Sequence, residues 1–109
     1  MNKYEALTEA LKRAAAAARE AVEANPEDGG TCNFDAPALA LPRWNEELTE
    51  AAARAAGVGC FTWKLYREKL FVFPLRIGGH GNSRTRAAEA AERSLRADGY
   101  NATMYYQMD

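Results

Sequence analysis

Residue types that usually carry chemistry are scarce in this 109-residue chain. It contains one histidine, His80, and two cysteines, Cys32 and Cys60. One histidine cannot supply a cluster of metal ligands, and two cysteines do not make a disulfide framework. We therefore expect no metal site and no cofactor, and we interpret both cysteines as small buried hydrophobic residues.

Long apolar runs are also missing. No stretch of the sequence approaches the roughly 18 consecutive apolar residues of a transmembrane helix. The N-terminal segment is charged and rich in alanine, without the apolar centre of a signal peptide. The sequence therefore predicts a cytoplasmic protein with no membrane partner.

The composition is that of a globular domain with unevenly distributed charge. Apolar residues make up 48% and charged residues 27%, which excludes a disordered chain. The net charge of −1 argues against a general nucleic-acid coat protein. Residues 1–58 hold 6 basic and 10 acidic residues, whereas residues 59–109 hold 8 and 5. An anionic ligand is therefore expected to meet the C-terminal half.

The pattern of apolar residues predicts seven elements. Helices are predicted over residues 2–24, 43–56 and 84–97, and strands over 36–41, 59–67, 70–75 and 100–108. We expect Asn45 to cap the second helix, Gly57 to end it and Leu48 to lie on its buried face. Trp63 should be mostly buried, and the inward residues of the third helix should be Ala87, Ala88, Ala91 and Leu95. The apolar stripe of the first helix is thin, so this helix needs a partner surface. That surface is either its own domain or, as we expect for the edge Tyr4-Leu7-Leu11, a second copy.

After the first helix, the predicted order β-α-β-β-α-β is that of the ferredoxin-like sandwich. The predicted class is therefore α+β, with a four-stranded antiparallel sheet and an extra N-terminal helix. We divide the chain into a packing or oligomerisation helix, residues 1–25, and a core domain, residues 36–109. The second face of such a sheet is bare unless the extra helix, a dimer partner or a ligand covers it.

A glycine-rich turn before the last helix is the sharpest functional signal. A helix N-terminus has unpaired N–H groups and partial positive charge, so it normally attracts Asp and Glu. Here Arg84 and Arg86 occupy that place, and such a combination suits an anion. The alternative is an ordinary turn whose arginines point into water. The candidate binding residues are His80, Gly81, Asn82, Ser83, Arg84 and Arg86, with Asn82 or Ser83 as the cap.

Residues 28–35 form a second candidate. The segment is polar beyond the needs of a connector, and within it we select Asn33 and Phe34 as ligand or partner contacts. Phe34 could stack on a base or a partner side chain, or it could fill the core of a structural turn.

Catalytic arrangements find little support. No spacing argument places Cys32 or Cys60 beside His80 as a nucleophile and its base. Ser83 lacks the setting of a nucleophile elbow, and the glycine turn lacks the Gly-Lys-Ser/Thr of a phosphate-binding loop. We therefore expect a protein that is not an enzyme.

Three stretches and the C-terminus resemble small orphan proteins from prophages and integrative elements of gut Firmicutes. They are residues 28–35, the strand around Trp63, residues 81–91 and the ending Met104-Tyr105-Tyr106-Gln107-Met108-Asp109. This resemblance covers about half of the chain and carries no established activity or site residue. It implies a mobile-element setting, in which short proteins often counter bacterial immunity.

The sequence thus predicts a small non-enzymatic binding protein that counters a host defence by occupancy. It would be an anti-CRISPR-like inhibitor or a sponge for a nucleotide signal in the host cytoplasm. Its partner would be a host defence protein, a ribonucleoprotein or a nucleotide. The alternative is a ferredoxin-like structural or regulatory homodimer that buries its bare sheet face and has no anion ligand.

Overall fold

The computed structural model describes residues 2–24, 33–76 and 81–108 of the chain. Within them lie three helices and one sheet of four antiparallel strands in the order β2-β3-β1-β4. The prediction of an α+β protein with these numbers of elements is confirmed. The elements in chain order are α1 Lys3–Ala24, β1 Asn33–Ala40, α2 Glu46–Ala56, β2 Phe61–Leu65, β3 Glu68–Val72, α3 Gly81–Ala97 and β4 Ala102–Met108.

The order of the whole chain is not a clean ferredoxin-like order, because α1 precedes β1 and belongs to the helical layer. It packs against α3 and α2. Asn2 starts this helix as its cap, since its Oδ1 accepts hydrogen bonds from the backbone N–H groups of Tyr4 and Glu5 at 3.0 and 2.9 Å. The predicted loop residues 27–32 and 77–80 lie outside the described part of the chain.

The apolar edge of α1 is buried within its own chain. Leu7 and Leu11 are 0% and 1% exposed and share a core with Leu39 of β1 and Phe71 of β3. Tyr4 meets the ring of Trp44 edge to face, with centroids 5.1 Å apart, and its hydroxyl accepts a hydrogen bond from the N–H of residue 45. The expectation that this edge docks onto a second subunit is therefore wrong.

Helix α2 has the predicted ends but a different buried face. Asn45 caps it, accepting a 2.9 Å hydrogen bond from the N–H of Leu48, and Gly57 ends it with φ of 81°. The inward side chains are Thr49, Ala52 and Ala53, whereas Leu48 is 50% exposed. Our assignment of Leu48 to the buried face was wrong, because five alanines in one short helix leave the apolar direction undecided.

Both faces of the sheet are covered by side chains of this chain. The three helices cover one face, and the inward residues predicted for α3 (Ala87, Ala88, Ala91 and Leu95) are buried. On the other face, Ala36 and Ala38 are 0% exposed beneath an aromatic cluster formed by Phe61, Trp63 and Tyr105. Helix α1 therefore does not cover this second face.

The aromatic cluster reaches from one edge strand to the other. Phe61 and Trp63 of β2 meet Tyr105 of β4 edge to face, with ring centroids 5.7 and 5.0 Å apart. This span is possible because the positions between them on β1 are alanines, over which large rings can lie. Trp63 is only partly exposed and packs against these buried residues, so the prediction that it is mostly buried is confirmed.

Candidate functional site

The predicted arginine-bearing turn leads directly into α3. The helix begins at Gly81, earlier than the expected caps Asn82 and Ser83, and its first turn contains no acidic residue. The first four N–H groups of a helix have no partner within the helix. In α3 these N–H groups belong to residues 81–84. The side chains of these four residues, and the whole of His80, are outside the described part of the structure.

The start of α3 is joined to the start of β1. The hydroxyl of Thr85 donates a 2.6 Å hydrogen bond to Oδ2 of Asp35. Asn33 and Phe34 precede Asp35 on the same strand, and their side chains are outside the described part of the structure. The backbone thus brings the two predicted site segments, 33–34 and 81–86, to one end of the sheet.

Carboxylates that the sequence analysis had not selected also lie at this end. Tyr106 pairs with Asp35 across β1 and β4 and is 61% exposed. Desolvation, followed by the negative charges of Glu89, Asp35 and Glu92, raises the pKa of the Tyr106 hydroxyl. Glu89 and Glu92 follow Thr85 at helical spacing, so this spacing could have revealed the acidic face.

Arg86 does not point freely into water, as the alternative interpretation of an ordinary turn would have it. Its side chain is half-buried and its Nε is shielded from solvent. An anion at this end of the sheet would therefore meet the backbone N–H groups at the start of α3. It would also lie near the acidic face of α3, which favours a compact, specifically held ligand over a long polyanion.

A cleft of about 220 Å³ lies at the same end, between the end of α2 and the start of β2. It is lined by two exposed arginines, Arg54 and Arg76, together with Glu50 and Cys60. Neither guanidinium forms an ion pair or hydrogen bond with the described residues. Arg76 precedes Gly81 by five residues, a reach of roughly 18 Å at most. Sequence reasoning missed this pair because 22 residues separate its members.

Cys60 is unsuited to act as a nucleophile. Burial, with the nearby charges of Glu50 and Glu46, raises the pKa of its thiol to about 11. A thiol with so high a pKa stays protonated at neutral pH and reacts slowly. The backbone beside it is tightly placed, because the N–H of Gly59 donates a 2.9 Å hydrogen bond to the carbonyl of Pro74. A Cβ at Gly59 would approach Pro74 to 3.3 Å.

The described residues contain no group of three or more His, Cys, Asp or Glu side chains placed to hold a metal ion. Among them, no helix has both the length and the apolar character needed to cross a bilayer. No family model matches the chain, and no curated protein and no solved structure is significantly similar to it.

Proposed function

We propose that this protein acts by occupancy, without turnover, and binds a phosphate-bearing partner at the end of the sheet where α3 begins. The observation that carries the proposal is the pair Arg54 and Arg76. Their guanidiniums line one cleft and form no ion pair with the described residues. Guanidiniums recognise phosphate oxygens through paired, charge-assisted hydrogen bonds. The helix start with Arg84 and Arg86 would add further donors.

The charges at this end favour a nucleotide over a nucleic-acid tract. The cleft measures about 220 Å³, and Glu50 lines it one helical turn before Arg54. Asp35, Glu89 and Glu92 act on the neighbouring Tyr106. A long polyanion would meet these carboxylates, whereas a nucleotide can place its phosphates on the arginines alone. A sponge for a nucleotide signal is therefore our first choice, and an anti-CRISPR-like block of a ribonucleoprotein or another defence protein is the second.

The finer assignment of the fold belongs to the same proposal. The elements β1-α2-β2-β3-α3-β4, with the strand order β2-β3-β1-β4, support a ferredoxin-like unit. Helix α1 is then an addition to its helical layer. The mobile-element origin and the action in the host cytoplasm rest on the resemblance alone.

Binding measurements on charge-reversed variants test the proposal. Arg54→Glu/Arg76→Glu and Arg84→Glu/Arg86→Glu should each abolish binding of a nucleotide found by mass spectrometry of the purified protein, or of a cyclic dinucleotide used as probe. The control is Arg19→Glu/Arg93→Glu, which makes the same charge change at two exposed helical positions. Equal binding by all three variants would show that this end of the sheet is ordinary surface.

The alternative function, a structural or regulatory homodimer, is supported by one observation. Phe61, Trp63 and Tyr105 remain partly exposed over the second sheet face, and a second copy could cover their outer edges. Sedimentation of the wild type and of Trp63→Lys, at concentrations up to high micromolar, tests this. A wild type that is monomeric at all concentrations would contradict the dimer.

A further inference from the structure

A second cleft lies at the opposite end of the sheet, where β1 ends and the β2–β3 hairpin turns. Its volume is about 400 Å³, within the range of about 300–1,000 Å³ that is usual for ligand sites. Pro42 supplies exposed apolar surface above Leu41, which is itself buried in the main core, and Arg43, Arg67 and Asn101 supply polar groups. This composition suits a ligand that has one apolar part and one anionic part.

The two arginines of this cleft are available to a ligand. Lys69 also lines it, but its Nζ lies 2.6 Å from Oε1 of Glu46, so its charge is already compensated. The side chains of Arg43 and Arg67 form no hydrogen bond or ion pair with the described residues. Glu68 is a further wall residue. The cleft thus offers two uncompensated guanidiniums beside one carboxylate.

The backbone around this cleft adopts conformations that its residues disfavour. Arg43 has φ of 69° and Tyr66 has φ of 57°, and they are the two non-glycine residues with positive φ in the described chain. Tyr66 and Arg67 form a two-residue hairpin turn in which the first φ alone is positive, the place where glycine is usual. Tyr66 is 94% exposed, so no packing within the chain accounts for a tyrosine there.

We propose that this cleft binds an acidic segment of a partner protein, with a carboxylate between Arg43 and Arg67 and an apolar side chain on Pro42. Tyr66 would lie against the bound segment, since tyrosine and arginine are the residues that most often anchor protein interfaces. Two guanidiniums beside Glu68 match one carboxylate, whereas a nucleic acid needs many phosphate contacts. Unfavourable backbone conformations held at a ligand cleft are typical of functional positions.

This inference does not depend on the phosphate proposal, since the two clefts lie at opposite ends of the sheet. It is tested by NMR titration of the ¹⁵N-labelled full chain with acetyl-Leu-Phe-Asp-Glu-amide as probe. The amide signals of residues 41–43, 66–69 and 101 should shift, with a Kd of about 1 mM or below. The control probe acetyl-Leu-Phe-Asn-Gln-amide lacks the charges and should bind at least about tenfold more weakly.

Variants separate the roles of the side chains. Arg43→Gln and Arg67→Gln should each weaken binding of the acidic probe roughly tenfold, while Arg93→Gln on α3 should leave it unchanged. Tyr66→Gly should also weaken binding, although it relieves the turn. Absence of shifts up to about 5 mM probe would overturn the proposal. A thymidylate octamer that binds this cleft more tightly than the peptide would overturn it in favour of a nucleic acid.

Discussion

The hydroxyl of Thr85 and the carboxylate of Asp35 are joined by a 2.6 Å hydrogen bond, although the two residues stand 50 positions apart. This bond ties the second turn of α3 to the first residues of β1. Both predicted site segments therefore share one anchoring contact. Any ligand held by the start of α3 would depend on it for the position of its donors.

Thr85→Val should destabilise the fold by about 1–3 kcal/mol, because it removes a hydrogen bond to a charged acceptor and leaves Asp35 without this donor. Thr103→Val is the matched control, since Thr103 is exposed on β4 and valine suits a strand. Urea unfolding of both variants measures the difference. Equal stability of Thr85→Val and wild type would show that this hydrogen bond makes no net contribution to the free energy of unfolding.

Leu11→Ala should lower the free energy of unfolding by about 2–5 kcal/mol, because Leu11 is 1% exposed in the main core and its truncation leaves a cavity. Leu48→Ala makes the same chemical change at a position that is 50% exposed and should cost far less. Removing residues 2–24 altogether should prevent folding, as judged by circular dichroism and NMR dispersion. A well-folded truncated chain would mean that α1 is dispensable to the core.

Trp63→Ala should lower the free energy of unfolding by about 2–3 kcal/mol, somewhat less than for a fully buried tryptophan, since the ring packs on the second sheet face but remains partly exposed. Trp63→Phe should recover part of the loss by restoring an edge-to-face contact with Tyr105. Lys64→Ala, on the other face of β2, is the control. If Trp63→Ala and Lys64→Ala unfold at the same urea concentration, the aromatic cluster of Phe61, Trp63 and Tyr105 does not stabilise the fold.

Tyr66→Gly should stabilise the fold by about 0.5–1 kcal/mol, because relief of the left-handed conformation exceeds the entropy that glycine adds to the unfolded chain. Tyr66→Ala keeps the Cβ that causes the conflict and should bring no gain. Thermal unfolding of the two variants checks this. If Tyr66→Ala stabilises the fold as much as Tyr66→Gly, the tyrosine ring destabilises the turn and the backbone conformation does not.

The thiol of Cys60 should react with iodoacetamide roughly 100-fold more slowly at pH 8 than an ordinary thiol, because its raised pKa lowers the thiolate fraction. The rate should keep rising with pH towards the pKa of about 11. Glu50→Gln removes one negative charge and should lower that pKa and speed the reaction. The measurement uses the Cys32→Ser variant, in which Cys60 is the one cysteine that can react with iodoacetamide. A rate that levels off near pH 8.5 would contradict the raised pKa.

Local chemistry explains which features were predictable from the sequence. The cap at Asn45 and the stop at Gly57 depend on neighbouring residues alone, and both were predicted. The start of β1 was placed three residues late, because Asn33 and Asp35 are polar. They are nevertheless strand residues, paired with Met108 and Tyr106 of β4. That pairing joins distant parts of the chain and leaves no local pattern.

The candidate sites were less predictable for the same reason. The bond between Asp35 and Thr85, and the shared cleft of Arg54 and Arg76, require the tertiary fold. The buried face of α2 was also missed, since alanine at so many positions gives no preferred direction until Leu7 and Leu11 pack nearby. The positive φ of Tyr66 has no sequence signal, because tyrosine is an unusual residue for that position.

The packing of α1 against α3 sets a constraint on the order of folding. Helix α1 leaves the ribosome well before its main packing partner α3, because residues 25–80 lie between them. During synthesis, Leu7 and Leu11 therefore wait without their final neighbours until α3 has emerged. At ordinary translation rates this wait lasts on the order of 5–20 s, during which the apolar edge of α1 is open to chaperones or to another nascent chain.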